Sequence, residues 1–130
     1  MAEDLFKAAK AAMANAYVRY SDFPVGSAIR TASGNIYAGC NIENSSYPEG
    51  WCAETSAISH MVTAGERDIA EILVVAEKLV RATPCGGCRQ RISEFAGPDT
   101  LLHLCDENGV VDTIPFRAML PAGFNLDDVE

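Results

Sequence analysis

The sequence predicts an α/β fold, a three-layer α/β/α sandwich around one mixed five-stranded sheet. Three observations predict it. Five runs have strand length and strand composition, stretches of helical periodicity are interleaved among them, and turn signals join two pairs of strands into hairpins. The chain has 130 residues and shows no repeat, low-complexity tract or linker, so it reads as a single domain, 1–130.

The first element is an amphipathic helix over about residues 4–18, where Leu5, Ala9, Ala12 and Ala16 recur at helical spacing beside Phe6, Met13, Tyr17 and Tyr20. It follows the acidic start Met1-Ala2-Glu3-Asp4 and is broken by Tyr20-Ser21-Asp22-Phe23-Pro24. Val25 to Thr31 reads as a strand, Ser33-Gly34-Asn35 as a tight turn, and Ile36 to Cys40 as the antiparallel partner. Asn41 to Trp51 is a polar loop. Cys52 to Gly65 has helical spacing through Ala53, Ala57, His60 and Met61, with Gly65 as the stop. Ile69 to Ala76 is apolar enough for a buried strand, and Cys85 to Phe95 follows Pro84 as another helix. Thr100 to Cys105 is a fourth strand, Asp106-Glu107-Asn108-Gly109 a turn, and Val110 to Thr113 a fifth strand. Phe116 to Leu120 forms a short helix before Pro121, and the tail is acidic.

Composition narrows the function classes. Apolar residues make up 48% and charged residues 22%, ordinary globular values, and the net charge is −8. That balance disfavours a long nucleic-acid strand, whose phosphates select basic grooves, and favours a small neutral or cationic ligand. No apolar run approaches the ~20 residues that span a bilayer. Five cysteines without a leader-like segment point to a reducing cytoplasm, with Cys40 and Cys105 as buried free thiols.

The most specific pattern is Cys52-Ala53-Glu54 followed by Pro84-Cys85-Gly86-Gly87-Cys88. Three thiolates can hold zinc while leaving its fourth position open, whereas structural sites close that position with a fourth Cys or His. A redox dithiol is the other use of C-x-x-C. Both cysteine segments begin helices, where free N–H groups and the positive dipole end favour thiolates. Glu54, beside the open position, reads as a proton carrier for a water activated there; a solvent-facing first-turn carboxylate is the blander alternative. Asn41 and Glu43 alternate at a strand exit, so both side chains should point to one side, as ordinary turn formers or as ligand contacts. Phe23, Phe124 and Trp51 suit packing as well as recognition. His60 and His103 lack metal-ligand spacing and read as structural.

Zinc-dependent nucleobase deaminases carry this signature, in a three-Cys form. The chain resembles the small, homotetrameric, three-cysteine cytidine deaminases well beyond it. Matching stretches are Tyr20-Ser21-Asp22-Phe23-Pro24-Val25-Gly26, Gly39-Cys40-Asn41-Ile42-Glu43-Asn44, Cys52-Ala53-Glu54, Pro84-Cys85-Gly86-Gly87-Cys88-Arg89-Gln90, and Leu120-Pro121 with Phe124. The resemblance implies hydrolytic deamination of cytidine and deoxycytidine in pyrimidine salvage, with zinc on Cys52, Cys85 and Cys88 and Glu54 shuttling protons. It implies that Asn41 and Glu43 bond the ribose 3′-hydroxyl, that Phe23 lines the pyrimidine pocket and that the Ala53 backbone fixes the base. Tyr47 is expected near the 5′ end of the sugar, and Phe124 stacks on the base from a neighbouring subunit. A deaminase of another aminopyrimidine nucleoside, such as blasticidin S, shares the zinc motif, and a polynucleotide-editing or zinc-stabilised binding module is a third class. Asn41-Ile42-Glu43-Asn44 favours an ordinary ribose, and the acidic balance disfavours a polynucleotide. One departure stands out. The family usually has Arg after C-A-E, offsetting the thiolate charge; this chain has Thr55, which leaves the helix N–H groups, with Arg89 next to Cys88 as a candidate substitute, to carry the compensation. Glu49 adds a further negative charge before the site.

Overall fold

The computed structural model describes residues 2–128; Met1 and the tail residues Val129 and Glu130 lie outside it. One sheet of five strands has the order β2-β1-β3-β4-β5: β1 Val25–Thr31, β2 Ile36–Cys40, β3 Ile69–Ala76, β4 Ala96–Asp106 and β5 Gly109–Pro115. The β3–β4 pair is parallel and the other three pairs are antiparallel, which makes the sheet mixed as expected. Parallel strands need a long crossover. Helix α3 (Gly86–Phe95) lies in the one that joins β3 to β4, and α2 (Ala53–Thr63) lies between β2 and β3.

The period-two alternation of β3 sorts the core into two layers. Ile72, Val74 and Ala76 join Ala57, Ile58 and Met61 of α2 and Ile92 of α3, with Ile29, Leu102 and Leu104 from neighbouring strands. Leu73 and Val75 point the other way, onto Leu5, Ala9 and Met13 of α1 (Ala2–Met13). Ile72, Leu73, Ile92, Leu102 and Leu104 are fully buried, each such side chain worth about 1.5–3 kcal/mol relative to exposure. Helices therefore cover both faces, giving the three layers.

Several boundaries differ from the sequence expectation. Helix α1 stops at Met13 rather than near residue 18. Tyr17 donates its N–H to Asn41 O at 3.0 Å, and Glu43 N–H reaches Tyr17 O at 2.9 Å, so a bridge to the β2 exit draws the chain out of the helix. Strand β4 begins at Ala96, not Thr100, where Ile69 pairs with Ala96 and Gly97 N–H bonds Thr100 Oγ1 at 2.8 Å. Strand β5 continues past Thr113 because Ile114 and Pro115 pair with Leu102 and Leu101. The 116–120 helix is a 3₁₀ turn over Phe116–Met119, and the 41–51 loop holds another at Tyr47–Glu49. Gly65, at φ +96, follows α2 as its stop. Cys105 is buried as expected, whereas Cys40 is only half-buried; both are free thiols.

His60 and His103 take up structural contacts. His60 stacks edge-on to Tyr37 and approaches Ala38 O at 3.3 Å. His103 sits between Thr113 Oγ1 and Glu71 Oε1, each at 2.8 Å, in a chain that continues from Glu71 to Arg30 and on to Asp4. Among the described residues no helix is long and apolar enough to cross a membrane.

Candidate metal centre and active-site cleft

Two helix N-termini build the centre. Cys52 caps α2 and Cys85 caps α3, both with extended backbone, and neither side chain bonds its own helix. Their carbonyls close the first helical turns, accepting Ser56 N–H at 3.1 Å and Arg89 N–H at 3.0 Å. Both thiols are left to meet each other at the cluster, and Cys88, one turn beyond Cys85, is buried.

The three Sγ atoms all lie within 4.8 Å of one another, with Cys52 and Cys85 at 3.7 Å. A disulfide needs about 2.05 Å, whereas two thiolates on one tetrahedral zinc, each at about 2.3 Å, stand roughly 3.8 Å apart. The spacing fits a shared metal. So does the charge chemistry: the Cys52 thiol and burial push the Cys88 thiol well above its ordinary value, so three thiolates here call for a cation.

Glu54, in the first turn of α2, is only 4% exposed, which removes the reading of a solvent-facing first-turn carboxylate. Burial raises its carboxyl above the ordinary value. It opens onto a cleft of about 150 Å³ that Phe23, Asn41, Cys52, Ala53 and Cys85 also line. The cleft lies where β1 begins and β2 and β3 end, its floor made by Val74 and Ala76. Five of the residues expected at a site therefore surround one opening with Glu54.

Asn41 and Glu43 both reach the 20–25 segment but do not share that opening. Asn41 locks the cleft wall, accepting Val25 N–H through Oδ1 and donating Nδ2 to Phe23 O, each at 2.9 Å. Glu43 lines a second hollow of about 340 Å³ with Tyr20, Ser21 and Tyr47. Its Oε1 accepts Tyr20 N–H at 2.8 Å and Ser21 N–H at 3.1 Å, and its Oε2 accepts the Ser21 hydroxyl. The Ser21 hydroxyl leads in holding this carboxyl below its ordinary value. Ile42, between Asn41 and Glu43, bridges Tyr17 and Trp51, and the side chains on either side of it both bond the 20–25 segment. Tyr47 is 76% exposed. Phe124 is 68% exposed and lines neither hollow; Gln90 Nε2 holds its carbonyl at 3.1 Å against α3.

The profile described as the cytidine and deoxycytidylate deaminase zinc-binding region matches residues 1–104. The chain belongs to that deaminase family. It is 39% identical over 127 residues to the cytidine deaminase of Sporosarcina psychrophila, covering 98% of this chain and 93% of that one. The cytidine deaminase of Halalkalibacterium halodurans is 38% identical over 125 residues, covering 96% and 95%. Among solved structures, the cytidine deaminase of Burkholderia pseudomallei superposes with a TM-score of 0.89 at 39% identity, over 95% of this chain and 99% of that one. That of Mycobacterium tuberculosis gives 0.85 at 32% identity, over 95% and 97%.

The family binds zinc, and among the described residues Cys52, Cys85 and Cys88 are the group positioned to hold an ion. Its immediate surroundings correct one sequence expectation. Arg89 does not face the thiols: its Nε donates to Pro84 O at 2.9 Å and its Nη1 to Met119 O at 3.2 Å, tying α3 to the chain on either side. Cys88 Sγ instead meets Thr55 Oγ1 at 3.7 Å and Arg91 Nη1 at 3.9 Å. Sequence reading passed over Arg91, although its position three residues after a helical cysteine was the available signal.

Proposed function

We propose that this member of the family hydrolyses cytidine and deoxycytidine to uridine and deoxyuridine, releasing ammonia, with zinc held by Cys52, Cys85 and Cys88. One observation carries the reading: a buried carboxyl, Glu54, opens onto the same cleft as two of the three clustered thiols. Zinc bound there supplies a Lewis acid that makes water a nucleophile at neutral pH. Glu54 moves the protons. It accepts one proton as the water oxygen adds to the ring carbon bearing the amine and passes it to the ring nitrogen, then takes the second proton from that same oxygen and delivers it to the departing amine. A carbon–oxygen bond forms, a carbon–nitrogen bond breaks, and no electrons are transferred. A carboxyl raised by burial suits a group that must take up as well as return a proton.

We assign Phe23 and the Ala53 backbone to the pyrimidine, Asn41 and Glu43 to the sugar 3′-hydroxyl, and Tyr47 to its 5′ end. Phe124, on the surface of its own subunit, stacks on the base bound by a neighbour in a homo-oligomer, a tetramer by resemblance. The cleft supports this: about 150 Å³ is less than the ~300–1,000 Å³ usual for small-molecule sites, as suits a pocket completed by another surface. The chain works as a single domain in the cytoplasm, in pyrimidine salvage, on nucleosides rather than polynucleotides.

The test is the loss of cytidine and deoxycytidine absorbance with purified zinc-replete protein, repeated after chelation and after zinc is returned. Turnover should vanish with chelator and recover with zinc. Zinc-replete protein that turns over neither nucleoside overturns the proposal.

A further inference from the structure

Three thiolates on a zinc ion leave a formal net charge of −1, and Glu54 stands close by. In a chain of net charge −8, a cationic side chain that reaches the cluster adds to the offset the two helix N-termini supply. The arginine adjacent to Cys88 in sequence is excluded, because the Arg89 guanidinium is engaged by the carbonyls of Pro84 and Met119.

Besides the other clustered thiols, two side chains reach Cys88 Sγ. Thr55, from α2, brings a neutral hydroxyl at 3.7 Å. Arg91, from α3, brings a guanidinium nitrogen at 3.9 Å. Arg91 lies three residues beyond Cys88 on the same helix, and helical side chains lean back toward the N-terminus, so it folds over the preceding turn and onto the cysteine. Gly87 leaves room for it. A Cβ at that position would stand 3.3 Å from Arg91 Nη1 and 3.8 Å from its Cζ, so a larger residue there would shift the guanidinium by a few tenths of an ångström. The cysteine, the small residue beneath the guanidinium and the guanidinium itself are thus one local unit of a single helix turn.

We propose that Arg91 is the cation that offsets the thiolate charge of the zinc centre, acting through Cys88 with the Thr55 hydroxyl as a neutral second donor. Arg91 touches no reacting atom and is a positioning residue. It lowers the electron density of the Cys88 sulfur and holds that ligand toward the metal. The inference rests on zinc binding by the three cysteines and not on which nucleoside is deaminated.

Zinc affinity, measured by competition with a chelator at fixed pH and independently of substrate, tests it. Removing a hydrogen-bond partner of a metal ligand typically weakens metal binding about 10–100-fold, and Arg91→Met should do so. Arg91→Lys keeps the charge without the planar fork and should recover part of the loss. Thr55→Arg in the Arg91→Met background returns a guanidinium from the opposite helix, where position 55 already meets Cys88, and should restore affinity. In cobalt-substituted Arg91→Met the thiolate-to-metal charge-transfer band should move to lower energy, because the sulfur has lost a donor. Affinity of Arg91→Met within threefold of the parent overturns the proposal. So does a loss that neither Arg91→Lys nor the Thr55→Arg/Arg91→Met double variant recovers, since that marks a packing role for Arg91 rather than a charge role.

Discussion

Gly39 in β2 faces α2 so closely that one added methyl group should disturb both stability and the metal centre. A Cβ built there would lie 2.4 Å from Ala57 N, 2.7 Å from Ser56 Cβ and 2.8 Å from Ser56 C. Two of those three atoms are helix backbone, so no rotamer relieves the clash. Restoring ordinary contact at about 3.5 Å requires α2 to retreat from the sheet by about 1 Å. Overpacking of this kind costs about 1–3 kcal/mol, which for a chain of this size lowers Tm by roughly 4–12 °C. The displacement matters more for activity. Helix α2 carries Cys52 and Glu54, whereas Cys85 and Cys88 ride on α3, so a 1 Å retreat separates ligands now 3.7 Å apart. A misplacement of about 1 Å can cost ~10²-fold in rate. Calorimetry, zinc content and kcat/KM of Gly39→Ala should therefore all fall together. Gly97→Ala, where an added Cβ meets nothing within 4 Å, serves as the control and should stay within about 0.5 kcal/mol of the parent. A Gly39→Ala protein with parental Tm, full zinc and parental turnover would refute this account of helix placement.

Glu54→Gln should retain fold and zinc while losing at least the ~10²–10⁴-fold typical of general acid–base groups, since one carboxyl serves several transfers; turnover within tenfold of the parent rules out the shuttle. Glu66 should govern part of the acid limb of stability. Ser33 Oγ at 2.5 Å, Tyr37 OH at 2.7 Å and Asn35 Nδ2 at 2.8 Å hold its carboxyl down to about 2, against an ordinary 4.5. Because the folded value is the lower one, its stabilisation is complete above pH 4.5 and lost as pH falls through about 2. Urea midpoints of Glu66→Gln should accordingly drop less across that window than the parent's, and parallel curves would remove Glu66 from the account. Phe124→Ala should raise KM at unchanged zinc content. Mixing it with Glu54→Gln subunits should regenerate hybrid sites more active than either parent, and no gain on mixing argues against a shared pocket.

Much of this molecule is legible in its sequence because local and global signals agree. Strands β1, β2 and β3 begin and end where their composition and turns place them, and α2 and α3 start at cysteines that cap them. Where partners set the boundary, the sequence is silent. Nothing in Ala96-Gly97-Pro98-Asp99 resembles a strand, yet pairing with Ile69 and the Thr100 hydroxyl extend β4 across it. Tyr17 continues the helical periodicity of α1, but a bridge to Ile42 competes for its backbone.

The metal centre shows where adjacency in sequence and adjacency in space part company. Helical residues advance by about 100° each, so Arg89 is turned roughly 100° away from Cys88, while Arg91 has come round to within about 60° of it. The nearer residue in the chain is thus the worse candidate, and it is the one bound to backbone carbonyls. Thr55 is likewise one turn from Cys52 and contacts not that cysteine but Cys88 on the opposing helix. Each cysteine helix contributes a positive N-terminal end, worth about 0.3–1 kcal/mol toward a nearby negative charge at exposed sites and more when partly buried. Those dipoles are fixed by the backbone and cannot be tuned by side-chain substitution. The adjustable part of the compensation lies in the two side chains that meet the Cys88 sulfur. That is why exchanging the cation between positions 55 and 91 should leave zinc binding intact, whereas removing it from both should not.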